Sequence, residues 1–178
     1  MAATPFLKKA STNPAVALFQ EFVQEATITQ HVLDRVPEGP LGWRPHPVSM
    51  SLGTLALHIA NSPRHFIKWI ETDVVDLTET PRHEARSHAD ILQAHQASVE
   101  AVRQALRDAG EAGLLGSCKL RKNGATFMTM PKLAIVRTLV INHSIHHRGQ
   151  LVLYLRLLGV PVPAVYGSSA DEAPFQRT

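Results

Sequence analysis

Apolar residues recur at steps of three and four along four segments of the chain, and each segment predicts an amphipathic helix. The first runs over Ala15–Arg35, after Asn13-Pro14, where a capping residue precedes a proline suited to the first helical turn. The second begins after Ser51 and continues to about Glu71. Pro63 lies inside it and predicts a kink, because proline removes a backbone donor and crowds the preceding turn.

The third and fourth helices have equally clear boundaries. Ser87 can cap a helix over Ala89–Ala109, and Gly110 is its expected stop. The last helix runs from Pro131 to Gly159, a length of about 42 Å at 1.5 Å per residue. Between these two helices, Asn123-Gly124 predicts a turn or a small hairpin and not a sheet, and Cys118 falls in a loop.

Four long amphipathic helices without a convincing strand predict an all-α four-helix bundle. A chain of 178 residues is about one domain's worth, so we expect a single domain over residues 1–178. Residues 1–12 are expected to form a loose leader, and Val160–Thr178 a tail that returns over the surface. The Thr72–Arg86 segment is a connection long enough for a crossover.

Composition excludes several classes of protein. With 44% apolar and 19% charged residues the chain is not of the disordered type, and one cysteine excludes an intramolecular disulfide or a cysteine-rich zinc module. The net charge of +3 is scattered without a basic arm, which argues against a nucleic-acid partner. Charges interrupt every long apolar stretch and Met1–Ala10 has no signal-peptide core, so we expect a cytoplasmic protein without a membrane span.

Ten histidines are an excess over the roughly four expected at average usage, and two of them lie on the apolar stripe of the last helix. That stripe consists of Val136, Val140, His143, His147, Leu151, Tyr154 and Leu158. Side chains at i and i+4 lie about 6 Å apart on one helix face, so His143 and His147 can reach one metal ion at ~2.0–2.1 Å. Coordination would also remove the cost of burying unpaired ring nitrogens, roughly 1–3 kcal/mol each.

A third ligand is needed for an open catalytic site, and His58 is the best candidate because it interrupts an otherwise apolar helical run. His65 shares nearly the same face but lies after Pro63, near the helix end. His146 is beside the stripe, where it could support a ligand or face a partner. The remaining histidines lie on polar or loop stretches and are expected at the surface: His31, His46, His83, His88 and His95.

The motif differs from two familiar metal sites. Ser144 stands where a metalloprotease places its general base, and the helix cores carry almost no carboxylates for a di-iron centre. One metal ion, zinc or nickel, is therefore expected. Three functions remain open: an enzyme that activates a low-molecular-weight thiol, a hydrolase that uses metal-bound hydroxide, and a protein with a structural metal. Tyr154 is a further catalytic candidate, although a tyrosine on that stripe is more often part of the core.

Several motifs resemble those of the DinB (damage-inducible) family of small metal-binding bundles. They are Asn142-His143-Ser144-Ile145-His146-His147-Arg148-Gly149-Gln150, the following Leu151–Pro163 and Tyr166–Glu172, the run Leu52–Ala60, and Trp43-Arg44-Pro45. The resemblance implies a bundle in up-down-down-up order, often a homodimer, with a metal held by His58, His143 and His147. It also implies a relation to thiol-dependent S-transferases and maleylpyruvate isomerases.

A homodimer would need an apolar surface outside the core stripes. Apolar residues left over after the stripes are assigned are Leu139, Leu153 and Leu157 on the last helix and Val32 on the first.

Overall fold

The computed structural model describes residues 13–77 and 83–173, so the expected leader lies outside the described residues. The elements follow in the order α1 (Pro14–Leu33), α2 (Leu52–His65), α3 (Ile67–Glu71), β1 (Val74–Asp76), α4 (His88–Leu114), β2 (Ser117–Lys122), β3 (Ala125–Pro131), α5 (Lys132–Ile135), a π-helical segment (Val136–Asn142) and α6 (His143–Leu157). The last three are continuous and are called the C-terminal helix. With α1, α2 and α4 it forms a helical bundle.

The capping residues act as expected. The Asn13 side chain accepts hydrogen bonds from the backbone nitrogens of the first turn of α1. Ser51 Oγ accepts from Thr54 N at 3.0 Å, and Ser87 Oγ accepts from Asp90 N at 3.0 Å. Each cap satisfies a donor that the first turn of a helix leaves without an intrahelical partner.

The predicted second helix is interrupted, but not at Pro63 itself. α2 ends at His65, Phe66 leaves the helical conformation (φ −94°, ψ 1°), and the chain resumes as α3. The Phe66 nitrogen bonds the Pro63 carbonyl three residues back, at 3.3 Å. The break is therefore a tightened turn just after the proline.

Gly110 interrupts α4 where its stop was predicted, because the backbone leaves the helical conformation at this residue. It takes a positive φ of 56°, which glycine adopts without strain, and the helix resumes for one more turn to Leu114. Leu114, at the end of this further turn, is buried in the core.

The all-α prediction is wrong in one respect, because the bundle carries a small three-stranded sheet. β2 and β3 pair antiparallel around Asn123-Gly124, both at positive φ as a tight hairpin turn requires. β1, from the segment predicted as a connection, pairs in parallel with β2. Cys118 accordingly lies in β2 and not in a loop.

Two side-chain contacts give the direction of α4 relative to α1. His88 Nε2 lies 2.9 Å from the Leu33 carbonyl oxygen, and His95 Nε2 lies 3.1 Å from that of Ala26. Since later residues of α4 meet earlier residues of α1, these helices are antiparallel. The C-terminal helix runs antiparallel to α2, because Tyr154 bonds the carbonyl of Met50 while His143 meets Phe66.

The core is divided into two clusters along the bundle. The first joins the start of α1 to the start of the C-terminal helix: Leu18, Phe22, Ile135, Val136, Val140 and Ile141. The second joins the ends of the same helices: Val32, Leu33, Leu151 and Leu155. α1 and the C-terminal helix are therefore parallel, and the four helices run up, down, down, up. The parallel neighbours α2 and α4 require the long connection that contains α3 and β1.

Within residues 13–77 and 83–173, no helix combines the length and the apolar character needed to cross a bilayer.

Candidate metal centre

Three histidines from two helices meet where the two core clusters adjoin. His58 lies on α2 beside Leu55 and Ile59 of the second cluster, and His143 and His147 lie between the clusters along the C-terminal helix. The π-helical segment ends at Asn142, directly before His143. Such wide turns are frequent at functional sites.

The three rings approach one another closely. His143 Nε2 and His147 Nε2 are 3.1 Å apart, and the ring centroid of His58 is 5.1 Å from that of His143 and 4.6 Å from that of His147. One nitrogen from each ring lies within 4.8 Å of the others. Among the described residues no further histidine, cysteine or carboxylate atom joins this group. The three rings are half-buried, so the group is open to solvent on one side.

The side-chain oxygen of Gln150 contacts the second ring nitrogen of His147. Its Oε1 lies 2.8 Å from His147 Nδ1. A carbonyl oxygen only accepts, so Nδ1 donates and the lone pair of the neutral ring is at Nε2. That lone pair points toward His143, in the direction that coordination requires.

His143 is held neutral. Burial, reinforced by the positive charges that His147 and His146 can carry, lowers the pKa of His143 to about 4. Its Nδ1 is buried with no hydrogen-bond partner among the described residues. Only neutral imidazoles coordinate metals, and three clustered imidazoles without a carboxylate match the donor set of zinc and related divalent ions. The residues present therefore fit a mononuclear metal ion.

Several other histidines are placed as expected. His31, His46 and His83 are exposed. His65 is also exposed and is not part of the group, while His146 is exposed and lies 3.2 Å from the Gln150 amide nitrogen through its Nε2.

The surface prediction is wrong for His95 and incomplete for His88. His95 is 4% exposed and donates through Nε2 to the Ala26 carbonyl. Burial is the main cause of its lowered pKa. His88 is half-buried and donates to the Leu33 carbonyl. Both histidines join α4 to α1 through these hydrogen bonds. The polar residues around them in the sequence did not indicate this contact.

A buried ion pair behind the histidines was not predicted. Arg148, next to His147 in sequence but on the inner face of α6, is 1% exposed. Its guanidinium donates to Glu25 Oε2 at 2.7 Å, to Thr29 Oγ1 at 3.1 Å and to the hydroxyl of Tyr166 at 2.6 Å. The available signal was Glu25, a carboxylate that lies between Phe22 and Ala26 on the apolar face of α1.

This ion pair also explains the position of the tail. The Tyr166 hydroxyl donates to Glu25 Oε2 at 2.7 Å, and burial with this bond raises the pKa of Tyr166 to about 12. Asp171 pairs with Arg156 and Glu172 with Arg35. The described part of the tail, up to Ala173, therefore returns over the bundle as expected and is tied to α1 and α6.

Ser144, Tyr154 and Cys118 lie outside the histidine group. Ser144 is buried and donates to the Val140 carbonyl at 2.7 Å. Tyr154 donates to the Met50 carbonyl and packs edge-on against Trp43. Cys118 is buried in the first core cluster, and burial raises its thiol pKa.

The chain was compared with known proteins. The DinB family model matches residues 9–177. No curated protein matches the chain. Among solved structures, a DinB-like protein from Bacillus cereus has a TM-score of 0.67 at 26% identity, over 85% of this chain and 97% of that chain. A DinB-like protein from Bacillus subtilis has a TM-score of 0.65 at 21% identity, over 82% of this chain and 94% of that one.

The structural likeness agrees with the helical bundle, and the residues matched by the family model include His58, His143 and His147. Since the match extends over nearly the whole length, this chain belongs to the DinB family.

Proposed function

We propose that the protein is a metal-dependent enzyme that uses a mononuclear centre at His58, His143 and His147 to activate a low-molecular-weight thiol for S-transfer or isomerisation. Zinc or nickel is the proposed metal, and the cytoplasm, where such thiols are kept reduced, is the proposed setting. The observation that carries the proposal is the donor set. Three imidazole nitrogens lie within 4.8 Å of one another, and no fourth protein ligand joins them among the described residues.

The open side of the site favours catalysis over a purely structural role. Structural zinc sites are normally closed by four protein ligands, whereas catalytic sites retain a position for water or substrate. Cys118 cannot supply the fourth ligand in this arrangement, because it lies in the first core cluster and outside the histidine group.

A bound divalent ion supplies positive charge that lowers the pKa of a coordinated thiol. The residues of this chain prepare the position for it. Gln150 places the proton of His147 on Nδ1, away from the site. Burial keeps His143 neutral, and Phe66 packs edge-on against its ring with the two ring centroids 6.0 Å apart.

The hydrolase alternative is less well supported. Hydrolysis at a metal centre commonly needs a general base near the reacting water. Ser144 turns away from the site to the Val140 carbonyl, and no carboxylate lies within the group in the described part of the chain.

Cobalt substitution tests the proposal directly. We expect one cobalt ion per chain and a sulfur-to-metal charge-transfer band when a small thiol from a panel of biological thiols is added. His83→Ala, at an exposed histidine outside the group, is the matched control and should behave as the wild type. A spectrum that no thiol changes, but that Cys118→Ala changes before thiol is added, would show a site closed by the protein and would favour the structural role.

A homodimer is part of the same proposal. Leu153 and Leu157 are each 57% exposed and lie one turn apart on α6, where they form an apolar surface patch. Val32 is fully buried and takes no part in it, and Leu139 packs against the first core cluster.

A further inference from the structure

Gln150 is placed to organise the histidine group without being part of it. It lies on α6 one turn after His146 and His147 and contacts both. Its Oε1 is 2.8 Å from His147 Nδ1, and its Nε2 is 3.2 Å from His146 Nε2. The two ends of one side-chain amide therefore hold two neighbouring histidines.

The amide imposes different protonation on the two rings. Its oxygen only accepts, so His147 carries its ring proton on Nδ1. Its nitrogen only donates, so His146 accepts at Nε2 and carries its own proton on Nδ1. The contact with Gln150 disfavours the other tautomer of His147, in which the ring proton lies on Nε2. That proton would point toward His143 Nε2, 3.1 Å away.

His146 is the second ring that the Gln150 amide contacts. A reversed amide would place its NH₂ group against His147 Nδ1 and favour the tautomer that is unsuitable for coordination. It would also place the carbonyl oxygen against His146 Nε2, so His146 would then have to carry its ring proton on Nε2. The exposed His146 thus contacts Gln150, and it is not in the group of candidate ligands.

We infer that Gln150 is a positioning residue for the metal centre: it holds His147 in the Nδ1–H tautomer, so that the Nε2 lone pair is directed at the ion. This inference rests on the proposed metal centre. Groups that hold the second nitrogen of a metal-ligating histidine typically contribute 10- to 100-fold to metal affinity. His143 has no comparable support, since its Nδ1 has no partner among the described residues.

Three variants test the role of Gln150. Gln150→Leu removes both hydrogen bonds at similar size, and Gln150→Glu retains an acceptor for His147 Nδ1. Gln104→Leu is the matched control, because Gln104 is an exposed helical glutamine whose amide donates to Asp108 at 2.7 Å, outside the site. The tautomer of His147 is measured in the metal-free protein by ring ¹⁵N NMR at neutral pH. Zinc affinity is measured by competition with a chromophoric chelator, and thermal unfolding verifies that each variant is folded.

We expect the wild type to show His147 protonated at Nδ1. Gln150→Leu should shift that ring toward the Nε2–H tautomer and weaken zinc binding about 10- to 100-fold. Gln150→Glu should keep the tautomer and bind zinc at least as tightly as the wild type, because a carboxylate is a stronger acceptor. Gln104→Leu should match the wild type in both measurements.

The two proposals fail in distinguishable ways. A folded Gln150→Leu variant that keeps the wild-type tautomer or the wild-type zinc affinity would overturn the role of Gln150 and leave the metal centre intact. A Gln150→Glu variant as weak as Gln150→Leu would also overturn it. A folded wild-type protein that binds no zinc, cobalt or nickel would overturn the metal centre itself, and with it the assignment of Gln150 as its positioning residue.

Discussion

At the scale of single residues, the candidate site depends on imidazoles that remain neutral inside the bundle. Burial lowers the pKa of both His143 and His95. The His95 Nδ1 is buried without a hydrogen-bond partner among the described residues, so a second ring proton would have no acceptor there. Desolvation is the main cause for both rings, while the hydrogen bond from His95 to the Ala26 carbonyl acts in the opposite direction and favours the charged form.

Replacing one candidate ligand should remove the metal. We expect His147→Ala to lose tight zinc binding and the zinc-dependent gain in stability, which is about 2.7 kcal/mol for a ligand at 100 times its Kd. Thermal unfolding with and without zinc, together with metal analysis, measures both effects. His83→Ala should retain both. One equivalent of zinc held by His147→Ala at wild-type affinity would contradict the ligand assignment.

The metal-free protein should lose stability in mild acid. The pKa of His143 is lowered from 6.5 to about 4. Between about pH 6.5 and pH 4 the unfolded state therefore binds a proton at this ring that the folded state does not bind. As the pH falls from 6.5 to about 4, the free energy of unfolding therefore decreases because of His143. The lowered pKa of His95 acts in the same direction.

Urea unfolding in a chelator across this range measures the decline. His143→Gln, which removes the titrating ring, should flatten it. A metal-free wild type with constant stability between pH 6.5 and pH 4 would show that neither histidine is held neutral by the fold.

At the scale of elements, α1, α6 and the tail are joined through one buried charge pair. Arg148 contacts Glu25 and Thr29 of α1 and Tyr166 of the tail. The guanidinium also lies over the Tyr166 ring, 5.2 Å from its centroid. Since Arg148 follows His147 directly, this pair fixes the rotation of α6 that directs His143 and His147 toward α2.

Removing one partner of the Arg148–Glu25 ion pair should lower the free energy of unfolding. We expect Arg148→Met to destabilise the protein by about 3–5 kcal/mol, because Glu25 is left buried without its countercharge. The double variant Glu25→Leu/Arg148→Met should recover most of the loss, since no charge then remains buried. Urea unfolding at neutral pH compares the two. A single variant within about 0.5 kcal/mol of the wild type would contradict a buried pair.

At the scale of the whole molecule, the apolar patch of Leu153 and Leu157 is the candidate dimer surface. We expect a solution mass of about twice 19.5 kDa by sedimentation. Leu157→Glu should dissociate the dimer without unfolding it, because this side chain is 57% exposed in one chain. Leu115→Glu, at a leucine that is 63% exposed and outside the patch, is the control and should remain dimeric. A wild type of single-chain mass at micromolar concentration would refute the dimer.

The helical segments, their caps and the three histidines were predictable from the amino-acid sequence, because periodicity, capping and i,i+4 spacing are local properties of the chain. Asn13, Ser51 and Ser87 cap the helices that they were predicted to cap, and Asn123-Gly124 forms the hairpin turn. His58 could be selected because a histidine in an apolar helical run is exceptional within its own segment.

Tertiary structure alone decided the features that depend on distant partners. β1 forms because β2 offers it a free edge, Leu114 is buried on a short turn that follows the break at Gly110, and His95 is internal because the Ala26 carbonyl accepts its ring proton. The roles of Arg148 and Gln150 likewise depend on which side of α6 faces α1 and α2. Long-range contacts of this kind are set by the packing of the whole bundle and leave little signal in the residues around each position.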